Sequence, residues 1–156
     1  MALFSIMMDW KTKNVEFNET IKKLFHGETT MERAAAANHL GYLKDKRATN
    51  SLAKVLKSEK DPIIINRIIE AMGEIQDVKA TMLIVDVLKK ELELSEDQQD
   101  TQRIFIIVES LMKIGDKRAL EHLGILLDSC NSEIRSLTEA AFECIDPEWK
   151  NNIKKS

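Results

Sequence analysis

Residues Gly41–Leu56 read GYLKDKRATNSLAKVL. Much of that stretch is written again at Gly73–Leu88, GEIQDVKATMLIVDVL, and a third time at Met112–Leu127, MKIGDKRALEHLGILL. Aligned on Asp45, Asp77 and Asp116, the copies agree column by column. An Ala follows three places later (Ala48, Ala80, Ala119). An aliphatic residue stands two before the Asp (Leu43, Ile75, Ile114) and another five before it (Leu40, Met72, Leu111). Downstream, Leu52, Ile84 and Leu123 coincide, then Val55, Val87 and Leu126, then Leu56, Leu88 and Leu127. The aspartates stand 32 and 39 residues apart. Self-similarity at such a period is the signature of a repeat architecture, in which no single unit can bury its own apolar face.

Each copy reads as two helices, A and B, joined by a tight turn. The downstream apolar positions recur at i, i+3, i+4, the spacing of one helix face. The Asp stands just before the B helix, where a carboxylate can accept the free N–H groups of the first turn. This column is therefore read as caps and not as catalytic acids. The Ala column is expected where two helices pass closely. The spacing predicts a first helix over about Val15–His26, with Gly27 as a stop signal. A helices follow in TTMERAAAANHLGYL behind Thr29/Thr30, after Asp61-Pro62, over Asp100–Ile114, and behind Ser132. B helices are expected over Lys46–Lys57, Val78–Glu91 and Lys117–Asp128. Asp146-Pro147 marks one more helix start, from which Trp149 and Ile153 would plug the end of the stack. The expected fold is all-α: a right-handed α-α superhelix in one domain. Residues 1–28 form an N-terminal cap or half repeat, 29–59 repeat 1, 60–92 repeat 2, 93–98 an acidic insertion, 99–130 repeat 3, and 131–156 a C-terminal half repeat and cap.

Composition agrees. The 156 residues include only five Gly and two Pro, 44% are hydrophobic, and aromatics are 5%. Few helix breakers and many Leu, Ile, Lys, Glu and Ala favour helix with an aliphatic core. The net charge of −3 argues against a nucleic-acid binder, which needs a concentrated basic face; Lys11, Lys13 and the Lys154-Lys155 pair are too few to supply one. Cys130 and Cys144 form no CxxC and read as buried thiols of a cytoplasmic protein. The opening MALFSIMMDW lacks a basic leading region and a cleavage site, so neither a signal peptide nor a membrane span is expected. It reads as a helix or strand-like cap over the end of the core, with self-association through this apolar N-terminus as the other reading.

These columns resemble the HEAT repeats, in the short subtype of phycobilin lyases, whose pattern looks like R-x-A-A-x-x-L-G-x-I-x-D-x-x-A-x-x-x-L-x-x-x-L. Arg33, Ala35, Ala36, Leu40, Gly41, Leu43, Asp45, Ala48, Leu52 and Leu56 match it. The second copy keeps Met72, Gly73, Ile75, Asp77 and Ala80, with Ile65 in the Arg position and Arg67 two places late. The third has Met112 in place of Gly and Arg103 one place early, and the fourth half repeat supplies Arg135. The resemblance implies the solenoid and leaves function to sites grafted on it. Similar repeats in deoxyhypusine hydroxylases carry paired His-Glu dipeptides for iron; here only a reversed Glu121-His122 occurs, and His26, His39 and His122 are scattered. No metal, cofactor or catalytic residue is assigned, and no nucleotide or hydrolase motif is present.

In stacked helical pairs the B helices are expected to line the concave face, where partners bind. The non-core rows there are Asn50–Met82–Glu121, Ala53–Val85–Gly124, Lys54–Asp86–Ile125 and Lys57–Lys89–Asp128. The second row is small in all three copies. It leaves a furrow for an apolar peptide or helix edge, or it simply lets adjacent B helices approach. The acidic stretch from Glu91 to Asp100 is either a solvated loop or a contact for a basic partner. The expected function is a non-enzymatic protein–protein scaffold, adaptor or assembly factor. The alternative is an accessory or catalytic subunit that handles a prosthetic group, as the lyase-like relatives do.

Overall fold

The computed structural model describes residues 1–153; Lys154 and Lys155 lie outside the described residues. Every regular element among these residues is helical, and they build a right-handed solenoid. The A row is α2 (Thr30–Leu43), α4 (Pro62–Ile75), α6 (Thr101–Ile114) and α8 (Ser132–Ile145), with α1 (Ala2–His26) beside α2. The B row is α3 (Ala48–Ser58), α5 (Thr81–Leu92) and the short α7 (Leu120–Leu123). Turns of 3₁₀ helix at Val78–Ala80 and Lys117–Ala119 open the last two, and 3₁₀ helix over Gly124–Asp128 follows α7. Each B element packs on the next A helix: α3 on α4, α5 on α6, and Gly124–Asp128 on α8. A five-residue α9 (Trp149–Ile153) closes the described chain.

Asp77 and Asp116 cap the 3₁₀ turns that open α5 and α7, whereas Asp45 accepts within the turn before α3, whose own N-cap is Arg47. Asp45, Asp77 and Asp116 accept the N–H of Arg47, Lys79 and Arg118 at 2.9, 3.1 and 3.0 Å. The A helices are capped too. Thr29 accepts from the Glu32 amide while Glu32 accepts from the Glu28 amide; Asp61 caps α4 ahead of Pro62, and Asp100 caps α6. For α8 the cap is Asn131, which accepts from the Glu133 and Ile134 amides, and Ser132 is the first helical residue. Each A helix of the three repeats then ends in a left-handed residue: Lys44 (φ 52°), Gln76 (φ 57°) and Gly115 (φ 74°). Only the third copy uses the residue that tolerates this conformation without a Cβ penalty. Gln76→Gly is therefore expected to raise stability by about 0.5 kcal/mol, read as a higher urea midpoint.

The core lies between the rows. Ile64, Ile68, Ile69, Ile104, Ile107 and Leu111 from the A row meet Leu52, Ile84, Leu88 and Leu123 from the B row, all essentially without exposed surface. Each such side chain contributes about 1.5–3 kcal/mol of burial. The A helices approach most closely where glycine replaces a side chain: a Cβ on Gly41 would stand 2.9 Å from the Ala71 Cα, and one on Gly73 would stand 2.8 Å from the Ser110 Cα. Met112, at that position in the third copy, is partly buried against the core.

The arginine column ties the layers together. Arg103 donates to Glu91 and Asn66, joining the start of α6 to the end of α5 and to α4. Arg33 pairs with Glu59 and donates to the Leu24 carbonyl; Arg135 donates to the Ser129 and Cys130 carbonyls. Arg67, two places late, pairs instead with Glu70 on its own helix.

Three expectations are corrected. The first helix begins at Ala2, not Val15, and MALFSIMMDW covers no core: residues 1–13 are all exposed. Cys130 and Cys144 are exposed free thiols, because Cys130 lies in the loop before α8 and Cys144 on the outer face of α8. Val85 is fully buried, between Ile84 and Leu88 on the face of α5 that meets the core.

Candidate functional site

The sequence-selected residues lie on three successive B elements. On α3, Asn50 and Lys54 are exposed and Ala53 is half-buried; on α5, Asp86 is exposed and Met82 half-buried. Val85 offers no surface, so a charged residue there would test folding and not binding. On the third B element Glu121 is exposed, Ile125 is 63% exposed, and Gly124 is half-buried. A Cβ on Gly124 would meet nothing within 4 Å. Gly124 thus brings no second B helix close, and the tight approach belongs to the A row at Gly41 and Gly73.

At the end of the B row the chain forms an apolar hollow of about 360 Å³. Leu120, Gly124 and Leu127 form one wall; Phe142 of α8 and Trp149 of α9 form the other. The Trp149 ring lies 5.0 Å from that of Phe142, and its Nε1 donates to Glu143 Oε1 at 2.9 Å, which fixes the indole as a wall. Asp146 ends α8 and accepts from the Glu148 amide at 3.2 Å, turning the chain so that α9 folds back over α8. Glu121 stands exposed at the edge of the hollow, whereas Asp146 is buried in its lining and accepts from the Asn152 side-chain amide at 3.0 Å. Of the residues chosen from sequence, the hollow gathers Glu121 and Gly124; Asn50, Ala53, Lys54, Met82, Asp86 and Ile125 stand outside its lining. Sequence predicts Trp149 only as an end plug; the signal for the hollow is an aromatic residue on a short last helix.

The electrostatics of the B row are structural. The Arg118 guanidinium, donating to both Asp116 oxygens, holds that carboxyl at about 2. Arg118 also reaches the Val78 carbonyl of the preceding layer, as Arg47 reaches Asn14 and stacks over Phe17. A carboxyl depressed in the folded state stabilises it above the unfolded pKa near 4, and that stability is lost as pH falls through about 2. With the Arg118 side chain 60% exposed to solvent screening, Asp116→Asn is therefore expected to lose about 1 kcal/mol at pH 7 and well under half of that near pH 2. Urea unfolding at both pH values reads the difference.

Elsewhere, Cys130 donates its thiol proton to Glu96 at 2.6 Å, and that hydrogen bond pushes the thiol pKa up. His39 pairs with Glu16 at 2.7 Å and stacks on Tyr42. Among the described residues no three His, Cys, Asp or Glu gather as metal ligands, and no helix is long and apolar enough to cross a membrane. The stretch Glu93–Gln98 is exposed, with one 3₁₀ turn at Glu96–Gln98.

Residues 18–99 match the family model described as HEAT repeats, and the chain belongs to the HEAT-repeat family. No curated protein matches it significantly in sequence. Among solved structures it is similar to the complex of CpcE and CpcF of phycocyanin lyase from Nostoc sp. PCC7120. The TM-score is 0.71 at 18% sequence identity, covering 86% of this chain and 54% of that one. This chain therefore spans about half the length of its structural relative, and at that identity the likeness is one of fold.

Proposed function

We propose that this chain is a non-enzymatic protein-binding scaffold that takes its partner along the B row and anchors it in the hollow beside Gly124. The observation that carries the reading is the hollow itself, with its apolar walls, a fixed indole and open space over Gly124. Such a pocket suits one aromatic or aliphatic anchor side chain, and the exposed Glu121 at its edge favours a basic residue beside it. Asn50, Ala53, Lys54, Met82, Asp86 and Ile125 would extend the contact along repeats 29–59, 60–92 and 99–130. The likeness to a two-protein complex supports a protein partner.

Gly124→Phe tests this. Its backbone is helical (φ −54°) and no atom lies within 4 Å of a new Cβ. Stability is expected to change by less than about 0.5 kcal/mol, while capture of the partner by tagged protein falls at least about tenfold. Undiminished capture by Gly124→Phe contradicts the anchor.

The lyase likeness favours a second reading, a subunit that handles a prosthetic group. Mixing the chain with a free bilin and following visible absorbance separates the two. A saturable spectral shift supports the second reading, and an unchanged spectrum supports the first.

A further inference from the structure

The most unusual surface lies at the other end of the stack. Residues 2–13 of α1 project beyond α2 and carry Leu3, Ile6, Met7 and Trp10 at 77, 65, 57 and 65% exposure. A three-turn helix without a neighbour is marginal in water, and so concentrated an apolar surface marks an interaction site.

The phase of these residues indicates what covers them. Positions 3, 6, 7 and 10 lie on one helix face, and the same spacing carries that face on to Phe17, Thr20, Ile21 and Leu24. That continuation already packs within the fold: Phe17, Thr20 and Leu24 are buried and Ile21 is partly so. Its neighbour α2 runs antiparallel, with Arg33 against the Leu24 carbonyl and His39 against Glu16. Just past the end of α2, Arg47 closes the row on Asn14. The free stripe therefore extends an existing helix–helix interface and lacks one more antiparallel helix in line with α2.

We propose that the α1 overhang of a second copy of this chain fills that place, giving a two-fold dimer. The stripe is self-complementary. Rotation about a point between Ile6 and Met7 sets Leu3 opposite Trp10 of the second copy and Ile6 opposite Met7, and the reverse, as an isologous interface requires. The start of the incoming helix also meets the end of α2, so the two helix dipoles run head to tail. A bilayer surface is the weaker occupant, because it would not continue the helix–helix packing that covers the same face at Phe17 and Leu24, and the positive charge of Lys11 and Lys13 is partly offset by Asp9, which pairs with Lys13 at 3.0 Å.

Sedimentation velocity on the full chain, from about 1 to about 200 µM, tests the proposal across the range of weak to moderate dimers. Wild type is expected to pass from monomer to dimer. Ile6→Glu/Trp10→Glu is expected to raise the dissociation constant at least about 100-fold, whereas Met8→Glu, on the opposite side of the helix, shifts it less than about threefold. Geometry is read by thiol cross-linking with a short bis-maleimide in a Cys130→Ser/Cys144→Ser background. Met7→Cys should link to itself, Leu3→Cys should not, and Leu3→Cys mixed with Trp10→Cys should link as a heterodimer. A chain that stays monomeric throughout overturns the proposal, as does a dimer that survives Ile6→Glu/Trp10→Glu. So does self-linking by Leu3→Cys, which would mean parallel pairing. A monomer that floats with phosphatidylcholine–phosphatidylglycerol vesicles overturns it in favour of the bilayer.

Discussion

Arg103→Ala is expected to destabilise the fold by about 3–5 kcal/mol, a large share of what holds a domain of this size together. The Arg103 and Glu91 side chains are only 15% and 6% exposed, with Nη1 and Oε2 3.2 Å apart. Glu91 also accepts the Asp100 amide, and Asp100 caps Arg103 at 3.0 Å, so one buried carboxylate joins the end of α5 to the start of α6. Truncating Arg103 leaves that carboxylate in the core without its counter-charge and leaves Asn66 without its donor. Removing the charge together with its partner should cost much less. Glu91→Gln/Arg103→Met keeps an acceptor for the Asp100 amide and is expected to recover at least about half the loss. Urea unfolding of the wild type and these two variants measures both effects. A double variant no more stable than Arg103→Ala would show that the ion pair itself holds the junction.

Gly73→Ala is the second large effect, at about 2–3 kcal/mol. The added methyl would meet the Cα, Cβ and Oγ of Ser110, each at 2.8 Å. The Oγ can rotate away, but the Cα cannot move without α6. The two helices must therefore separate, and their buried neighbours Ile69, Met72, Ile107 and Leu111 lose contact. Ser110→Gly in the same chain relieves the side-chain part and should return about half the loss. Gly124→Ala, with nothing near its Cβ, should be neutral or slightly stabilising by helix propensity. Thermal melts of the variants rank them. Equal effects at Gly73 and Gly124 would mean that the A row is not held by close backbone approach.

These two sites show what was legible in the sequence. Caps and helix periods are local, so the Asp column, Asp61-Pro62 and the apolar columns could be read directly. Gly41 and Gly73 were visible as a pattern, but their reason, the backbone of the next A helix, depends on a neighbour about thirty residues away in the repeat. Val85 could have been placed in the core from its own helix, since Thr81, Ile84, Val85 and Leu88 share one period and are all buried. The cross-repeat row does not carry that burial, since Ala53 and Gly124 at the equivalent positions are only half-buried. Cys144 likewise falls outside the period of Ile134, Thr138, Ala141 and Ile145. The overhang of α1 was only partly legible: self-association is one of two readings of MALFSIMMDW, but its residues are apolar enough for a core, and only the length of α2 decides that no other helix among the described residues covers them. The hollow was half-visible: Glu121 and Gly124 were chosen, whereas Trp149 joins them through the turn at Asp146, which no local pattern encodes.

The B row and its terminal hollow as the partner-binding face are tested most directly by amide hydrogen exchange on the chain with and without its captured partner. Protection is expected to rise over 120–127 and 149–153 and at the exposed B-row positions around Asn50 and Asp86, while the A-row amides of α4 and α6 stay unchanged. Protection confined to the A row, or to the acidic stretch at 93–98 with the hollow unaffected, would contradict it.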